Sequence, residues 1–243
     1  MKTIVIADIH ANLPALEAVI KDIDTNYNNI VFLGDIANFG PHPIECIDMI
    51  QQLGVECIQG NHDFLISNPS AKRNFWDEWT REQLPQKYLD WLAAMPEKRL
   101  LFNSILAVHG SYDVEYDILP YIPSVKVEEA FARQINEGIN AVWFGHYHYD
   151  LSFNINGISY VCIRPVGHHR DKDNRASYYV YEDGRLIHKK VEYDVEKTIY
   201  DTNKISCLTD EFKCEWASLL RTGYSETILH KDIKQIENYK KLI

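Results

Sequence analysis

The chain has 243 residues, of which 46% are hydrophobic and 25% charged, typical of a globular protein long enough for one large core. With 25 Lys and Arg against 35 Asp and Glu, its formal net charge is −10, so we expect no duplex nucleic acid as a partner. Its apolar runs fall short of the roughly 18–20 residues of a membrane span, so no membrane contact is expected.

The N-terminal apolar run and the cysteines predict a reducing compartment. Residues 2–7 form too short an apolar run for a signal peptide, and Asp8 ends it. The five cysteines are an odd number without a close-spaced pair, which disfavours a disulfide framework. We therefore expect a cytoplasmic protein.

The first part of the chain alternates short apolar strands with amphipathic helices. Residues 2–7 predict a buried strand, and Asn12 followed by Pro14 marks the start of the next helix. Residues 30–33 and 55–58 predict two more strands, with a second helix between them. This β-α-β-α-β order predicts a parallel sheet with right-handed crossovers.

The middle of the chain changes character over residues 64–100, where Trp and Tyr are interspersed with proline breaks. We expect a helical insertion whose aromatic side chains pack on the core, while a lid over a cleft and a homodimer surface remain alternatives. Residues 104–108 and 141–144 predict strands, with a helix over 125–136 between them.

The C-terminal part predicts hairpins followed by helices. Between residues 151 and 193, Asn156-Gly157 and Asp183-Gly184 are strong hairpin signals that join apolar strands. Residues 194–243 predict C-terminal helices, which offer a second surface for a homodimer. Because no repeat, low-complexity segment or linker interrupts the pattern, we expect residues 1–243 to form a single domain.

Polar side chains follow five of the predicted strands. At the carboxyl ends of parallel strands, such groups converge on one edge of the sheet. Two carboxylates, one amide and four imidazoles suit Mn²⁺, Fe or Zn²⁺ better than Ca²⁺ or Mg²⁺. These ligands are too many for one such ion and fit two ions that share a bridge. The candidate metal ligands are Asp8, His10, Asp35, Asn61, His109, His146 and His148.

Each of these positions has an ordinary structural explanation when it is taken alone. The Gly60-Asn61 pair is common turn chemistry, and His109 by itself is more typical of a partly buried histidine with a hydrogen-bond partner. The pair of His146 and His148 is a stronger signal, because alternate positions point the same way. Five such segments in this order, each at the end of a strand, argue against coincidence.

Taken together, the five segments resemble the five sequence blocks of the calcineurin-like metallophosphoesterases, and the resemblance spans residues 3 to about 193. The chain is most similar to the compact bacterial and archaeal members of phosphodiesterase type, also in segments 15–18 and 175–178. The blocks are Asp8-Ile9-His10, Gly34-Asp35, Gly60-Asn61-His62-Asp63, His109 and Gly145-His146-Tyr147-His148.

The resemblance implies a fold and a division of roles among these residues. The expected fold is α/β, a four-layer α/β/β/α metallophosphoesterase sandwich with the metal site at the sheet edge. His62 would stay off the metals and face the phosphate as a catalytic residue, oriented by Asp63. The first ion would be bound by Asp8, His10 and His148. The second ion would be bound by Asn61, His109 and His146. Asp35 would bridge the two ions.

The implied activity is hydrolysis of a small phosphorylated substrate, nucleotide-like esters included, by a hydroxide that bridges two divalent metal ions. We expect a phosphodiesterase, with Mn or Fe as the favoured metal and Zn as a third option. A phosphomonoesterase or protein phosphatase would use the same ligands and stays an alternative. A non-catalytic scaffold of the same fold is less favoured, since His62 and every metal ligand are present.

One segment departs from the family pattern. Residues 162–167 read Cys-Ile-Arg-Pro-Val-Gly, where relatives carry Asn-Pro-Gly-Ser-Val-Gly near the mouth of the site. Arg164 is therefore a candidate substrate-binding residue for a phosphate or carboxylate, and a surface arginine in a rebuilt turn is the alternative. The departure leaves the substrate open without affecting the metal ligands.

Overall fold

A computed structural model describes residues 1–110 and 138–224 of the chain. Within these residues the helices are α1 (Leu13–Asp22), α2 (Pro43–Gln52), α3 (Asn61–Ser67), α4 (Phe75–Gln83), α5 (Gln86–Ala93), α6 (Val195–Asn203) and α7 (Asp210–Thr222). The strands are β1 (Lys2–Ile6), β2 (Asn29–Phe32), β3 (Glu56–Cys57), β4 (Lys98–Leu101), β5 (Ile105–Val108), β6 (Ala141–Phe144), β7 (Ser152–Ile155), β8 (Ile158–Cys162), β9 (Ala176–Glu182) and β10 (Arg185–Val191).

The strands form two mixed sheets that pack face to face. The first sheet has the order β10-β9-β1-β2-β3, and the second has the order β4-β5-β6-β8-β7. The predicted parallel pairing of β1, β2 and β3 is confirmed, but β9 pairs with β1 in the antiparallel sense. The α/β class is confirmed, with two mixed sheets flanked by helices.

The first strand is buried on both of its faces, which explains its continuous apolar sequence. Ile4 and Ile6 belong to the core cluster that also contains α1, α2 and α5 side chains. Val5 and Ala7 point the other way and pack between the two sheets, in a cluster that includes Trp143 of β6. The period of two along a strand thus places β1 at the centre of the molecule.

The predicted caps and turns are confirmed where the structure describes them. The Asn12 side chain accepts a hydrogen bond from the N–H of Ala15 at the start of α1. At the predicted hairpin turns, Asn156 and Asp183 have positive φ values of 50° and 50°, and the glycines that follow are also left-handed. Such φ values at both central residues are typical of type I′ turns, whose twist matches that of the strands.

The segment 64–100 differs from the prediction at both ends. Its first helix, α3, begins earlier, at Asn61, and residues 98–101 form strand β4 rather than helix. The reason is that β4 is an edge strand, paired only with β5 among the described strands. Lys98 and Leu100 are exposed and only Leu101 is buried, so the sequence shows no alternation of apolar and polar residues.

The remaining sequence predictions are only partly covered. Helices α6 and α7 confirm the helical character of the start of 194–243, and the helix predicted over 125–136 lies outside the described residues. The single-domain assignment stays a prediction. Among residues 1–110 and 138–224, no helix combines the length and the apolar character needed to cross a membrane.

Candidate metal centre

The five polar strand ends come together, but they do so at the shared end of two sheets rather than at the edge of one parallel sheet. The loop after β1 lies along the loop after β2, with the Asp8 N–H donating to Gly34 O at 3.0 Å and the His10 N–H donating to Asp35 O at 3.0 Å. From the second sheet, the His146 N–H donates to the Asp8 carboxylate at 3.1 Å. The packing of the two sheets therefore completes the site.

The backbone of this site is strained in a way that is unusual for residues other than glycine. A left-handed φ costs a residue with a side chain of order 1–3 kcal/mol and persists where the surroundings enforce it, often at functional sites. The left-handed ligand residues are Asp8 (52°), His10 (49°), Asp35 (62°), His146 (71°) and His148 (61°).

One group of donors gathers around Asp8. The His148 Nε2 lies 3.1 Å from Asp8 Oδ1 and 3.2 Å from the His10 Nε2. The His10 Nε2 also lies 3.8 Å from Asp8 Oδ1 and 3.8 Å from Asp35 Oδ2. All of these side chains are buried, and the two facing imidazole nitrogens are close enough to ligate one ion when both carry a lone pair.

A second group gathers around Asn61. The His109 Nε2 lies 3.1 Å from Asn61 Oδ1 and 3.1 Å from Asp35 Oδ2, and the His146 Nδ1 lies 2.8 Å from Asn61 Oδ1. The His109 Nδ1 lies 2.6 Å from the carbonyl oxygen of Leu33 and donates to it, so the Nε2 lone pair is turned inward.

The Asp35 carboxylate joins the two groups, because the same oxygen, Oδ2, faces both His10 and His109. Ligand atoms of Asp8, His10 and Asp35 lie within 4.8 Å of one another, as do those of Asp35, His109 and His146. Two buried carboxylates among imidazole lone pairs require positive charge to offset their desolvation. The donor set therefore fits two divalent ions.

The pKa shifts of Asp35 and His109 show that these two neighbouring side chains attract each other. Burial raises the pKa of Asp35, but the charges of His109, His62 and His10 and the hydrogen bond from His109 together outweigh it, and the pKa lies well below its usual range. Burial lowers the pKa of His109, while the charge of Asp35 and their hydrogen bond raise it to about 10. Without a metal, the Asp35 carboxylate thus favours a proton on His109, and a bound metal ion would take the place of that proton, since ligation requires the neutral imidazole.

A close approach of the backbone brings Asn61 and His62 to Asp35. A Cβ on Gly60 would lie 2.1 Å from Asp35 Oδ1, so only glycine fits there. The His62 N–H then donates to the same Oδ1 at 2.9 Å, in the first turn of α3.

The orientation of His62 differs from the prediction. Asp63 was expected to orient His62, but its carboxylate accepts hydrogen bonds from the backbone N–H groups of Asp35 (2.8 Å), Ile36 (3.0 Å) and Gly60 (3.0 Å). Burial and the charge of Asp35 raise the pKa of Asp63 to about 6. Asp63 thus holds the loop that carries Asp35, and residues other than Asp63 contact the His62 ring.

Asn38 and Asp77 hold the His62 ring instead. The Asn38 Nδ2 lies 2.7 Å from His62 Nδ1 and donates to Asp77 Oδ1 at 2.5 Å, while Asn38 Oδ1 accepts from the Phe39 N–H. These contacts fix the amide, so His62 Nδ1 accepts and Nε2 carries the ring proton. Burial lowers the pKa of His62, and the negative charge of Asp35 with that of Asp77, whose Oδ1 lies 3.7 Å from His62 Nδ1, raises it by more.

Sequence reasoning did not single out Asn38 or Asp77. The motif Asn74-x-x-Asp77 was readable as a helix start, and the structure shows the reciprocal cap. The contact of Asp77 with Asn38, 39 residues earlier, has no local signal in the sequence.

Arg164 lies in the rebuilt turn and is buried. Its Nη2 pairs with Asp171, and its Nη1 lies 3.7 Å from Asp150. The turn is attached to the ligand loop, because the Val166 N–H donates to Ala7 O at 2.9 Å. The guanidinium of Arg164 therefore already has two acidic neighbours, Asp150 and Asp171. The substrate-binding role of Arg164 stays a prediction.

A further buried imidazole, His168, borders the first group and was also missed. A ring nitrogen of His168 lies within 4.8 Å of ring nitrogens of His10 and His148. Burial, followed by the charges of His148 and Arg170, holds the pKa of His168 well below its usual range. The pair His168-His169 directly after Gly167 was the available signal.

Three comparisons with known proteins agree with this geometry. The model of the calcineurin-like phosphoesterase family matches residues 1–150, which include every predicted metal ligand. Protein MJ0912 of Methanocaldococcus jannaschii is 28% identical over 220 residues, which cover 79% of this chain and 88% of that protein.

Two solved structures are similar over almost the whole chain. A metallophosphoesterase from Sphaerobacter thermophilus has a TM-score of 0.73 and 26% identity, and the match covers 92% of this chain and 100% of that one. The hypothetical protein PH1004 from Pyrococcus horikoshii OT3 has a TM-score of 0.76 and 24% identity, over 92% and 99% of the chains.

Proposed function

This chain belongs to the calcineurin-like phosphoesterase family, and on that premise we propose that it is a phosphodiesterase that works with two divalent metal ions. The observation that carries the proposal is the position of Asp35, whose Oδ2 faces His10 in one donor group and His109 in the other. A carboxylate oxygen shared in this way is what a bridged pair of ions requires.

The residues divide into two sets of ligands. The charges of Asp8 and Asp35 offset about half of the charge of two divalent ions, and the remainder attracts an anionic ester to an otherwise acidic protein. Bound at this site, such ions supply Lewis acidity toward the phosphoryl oxygens and activation of water. The proposed ligands are Asp8, His10 and His148 for one ion, Asn61, His109 and His146 for the other, and Asp35 for both.

His62 is the proposed proton donor. Its ring is held by Asn38 with the proton on Nε2, which leaves a hydrogen-bond donor beside the ligand groups. Such a donor stabilises the leaving oxygen of the ester, an effect that is typically worth 10²–10⁴-fold in rate. Asn38 and Asp77 act as positioning residues, because they touch His62 and set its tautomer.

The burial of the ligands supports a small phosphorylated substrate. Asp8, His10, Asp35, His109 and His148 are all at most 2% exposed. We propose a small, nucleotide-like ester as the substrate. The net charge of −10 argues against duplex nucleic acid. The four imidazoles support Mn or Fe, with Zn as the third option.

The cysteines support a cytoplasmic location. All five are free thiols, three of them buried and two exposed. Free, exposed thiols are typical of a reducing compartment.

The test is metal content together with turnover. The protein is purified without chelator, its metals are counted, and a chromogenic phosphodiester and phosphomonoester are compared with added Mn²⁺. Two ions per chain with diester cleavage is the expected result. Two ions with monoester cleavage alone would move the assignment to a phosphomonoesterase, and no ion with no turnover would favour a scaffold of the same fold.

A further inference from the structure

His168 is a buried imidazole without an apparent structural role. It is 1% exposed, and within the described ranges neither ring nitrogen has a hydrogen-bond partner. Its ring lies 4.7 Å from the ring of His148, 5.2 Å from His10, 5.1 Å from Phe39 and 5.1 Å from Trp216, with steep interplanar angles. A histidine that only filled space would leave both a donor and an acceptor unpaired in the interior, which costs stability.

The ring nitrogens of His168, His10 and His148 are close enough to share one ion. One nitrogen of each lies within 4.8 Å of the others. Two ligands of a transition ion, each about 2.1 Å from it, are at most about 4.2 Å apart. Small side-chain adjustments therefore bring the three imidazoles into one coordination shell.

The backbone holds His168 in register with the ligand loop. The Gly167 N–H donates to Asp8 O at 3.0 Å, and the Asn12 side chain donates to Gly167 O at 3.0 Å. A Cβ on Gly167 would lie 1.9 Å from the carbonyl oxygen of Ile9, so a side chain cannot be accommodated. These contacts anchor the backbone next to His168 directly to residues 8, 9 and 12 of the loop that carries Asp8 and His10.

We propose that His168 is an additional ligand of the ion held by Asp8, His10 and His148. The inference deepens the proposed function and rests on its pair of metal ions. With His168, this ion has three imidazole ligands, whereas the ion at Asn61 has two. The two positions therefore differ in preference, and the first favours the metals that bind imidazole well, such as Zn²⁺, Fe²⁺ and Co²⁺, over Mn²⁺.

The neighbouring His169 offers a matched control. It is 4% exposed and its ring nitrogens also have no hydrogen-bond partner in the described part of the chain, but it does not belong to a group of converging ligand atoms there. Replacement of His168 by Phe keeps a ring against Phe39 and Trp216 and removes both nitrogens. Replacement of His169 by Phe makes the same change one residue away.

The experiment compares wild type, His168→Phe and His169→Phe by chelator competition and by the visible absorption of the Co²⁺-loaded proteins. We expect His168→Phe to bind one of its two ions at least about tenfold more weakly, to keep the other, and to lose part of the cobalt band. His169→Phe is expected to retain wild-type affinities and spectrum. In His168→Ala, added imidazole should fill the cavity and restore both the affinity and the band.

Unchanged affinities and an unchanged cobalt spectrum in His168→Phe would overturn the inference while leaving the dinuclear proposal intact. A third ion in wild type that only His168→Phe loses would also overturn it, because the ligand would then serve a separate site. If wild type binds no ion, the proposed function fails and the inference fails with it. Circular dichroism of the chelator-treated variants verifies folding, and if His168→Phe is unfolded, the imidazole rescue of His168→Ala decides.

Discussion

Replacement of Asn38 by Ala tests how His62 is oriented. Asn38 is fully buried and left-handed, with φ at 77°, and its amide contacts both His62 Nδ1 and Asp77 Oδ1. Its removal leaves the imidazole free to turn, although no proposed metal ligand is lost. We therefore expect turnover to fall while both ions stay bound.

The magnitude follows from the contacts that are lost. A hydrogen bond to a charged group such as Asp77 is worth about 1.5–3 kcal/mol. If about that much energy orients His62 in the transition state, kcat falls about 10–100-fold, since about 1.4 kcal/mol is a factor of ten. The left-handed backbone costs Ala about 1–2 kcal/mol more than Asn, so the protein should also unfold more easily.

The assay is kcat for the chromogenic diester together with metals per chain. Asn103→Ala is the matched control, because Asn103 is also left-handed, at φ 60°, but is exposed in the turn between β4 and β5. It should lose stability without losing kcat. Because Asn38 acts through His62, the double variant Asn38→Ala/His62→Ala should be no slower than His62→Ala alone. Fully multiplicative losses in the double variant would refute the reasoning.

Three other changes have definite expected outcomes. His62→Ala should keep both ions and lose about 10²–10⁴-fold in kcat, and loss of the ions would show that His62 is a ligand. Asp35→Asn should weaken both ions in chelator competition, because a shared negative charge is lost, whereas Asp48→Asn, whose carboxylate accepts from Tyr88, should bind them normally. In the presence of a chelator, the free energy of unfolding should fall with decreasing pH because of His188. Burial, and then the charges of Arg164 and Lys190, lower the pKa of this histidine from 6.5 to about 4. Between these two pKa values the folded state binds fewer protons than the unfolded state. The contribution of His188 to the free energy of unfolding is therefore full above pH 6.5 and is lost toward pH 4, by about 1 kcal/mol after solvent screening. Urea titrations at both pH values would reveal this, and an equally steep fall in His188→Gln would contradict it.

The convergence of the proposed ligands was predictable because these residues follow short, strongly apolar strands. Asp8 follows β1 and Asp35 follows β2, and the rule that polar groups gather at strand ends applies to both. That rule does not depend on whether the strands share one sheet. It therefore also predicts that His109 and His146 lie beside Asn61, as the structure has them, although they come from the second sheet.

The parts that could not be predicted depend on contacts between distant segments. Strand β4 has charged residues because it is an edge, and its pairing with β5 is what makes it a strand. Asn38 meets Asp77, and His168 meets His10, only after the loops have folded against one another. A local pattern carries no information about such pairs, so the surroundings of the site were less predictable than its ligands.

The central position of β1 has a consequence for the order of folding. Its first neighbour, β2, follows within a few tens of residues, since Thr3 pairs with Asn29. Its other neighbour is β9, where Lys2 pairs with Glu182. During synthesis, one edge of β1 thus stays open until most of the chain has left the ribosome, and pairings of such long sequence separation form slowly. The final order of this sheet therefore depends on a strand pairing that joins distant parts of the described fold, rather than on neighbours in sequence.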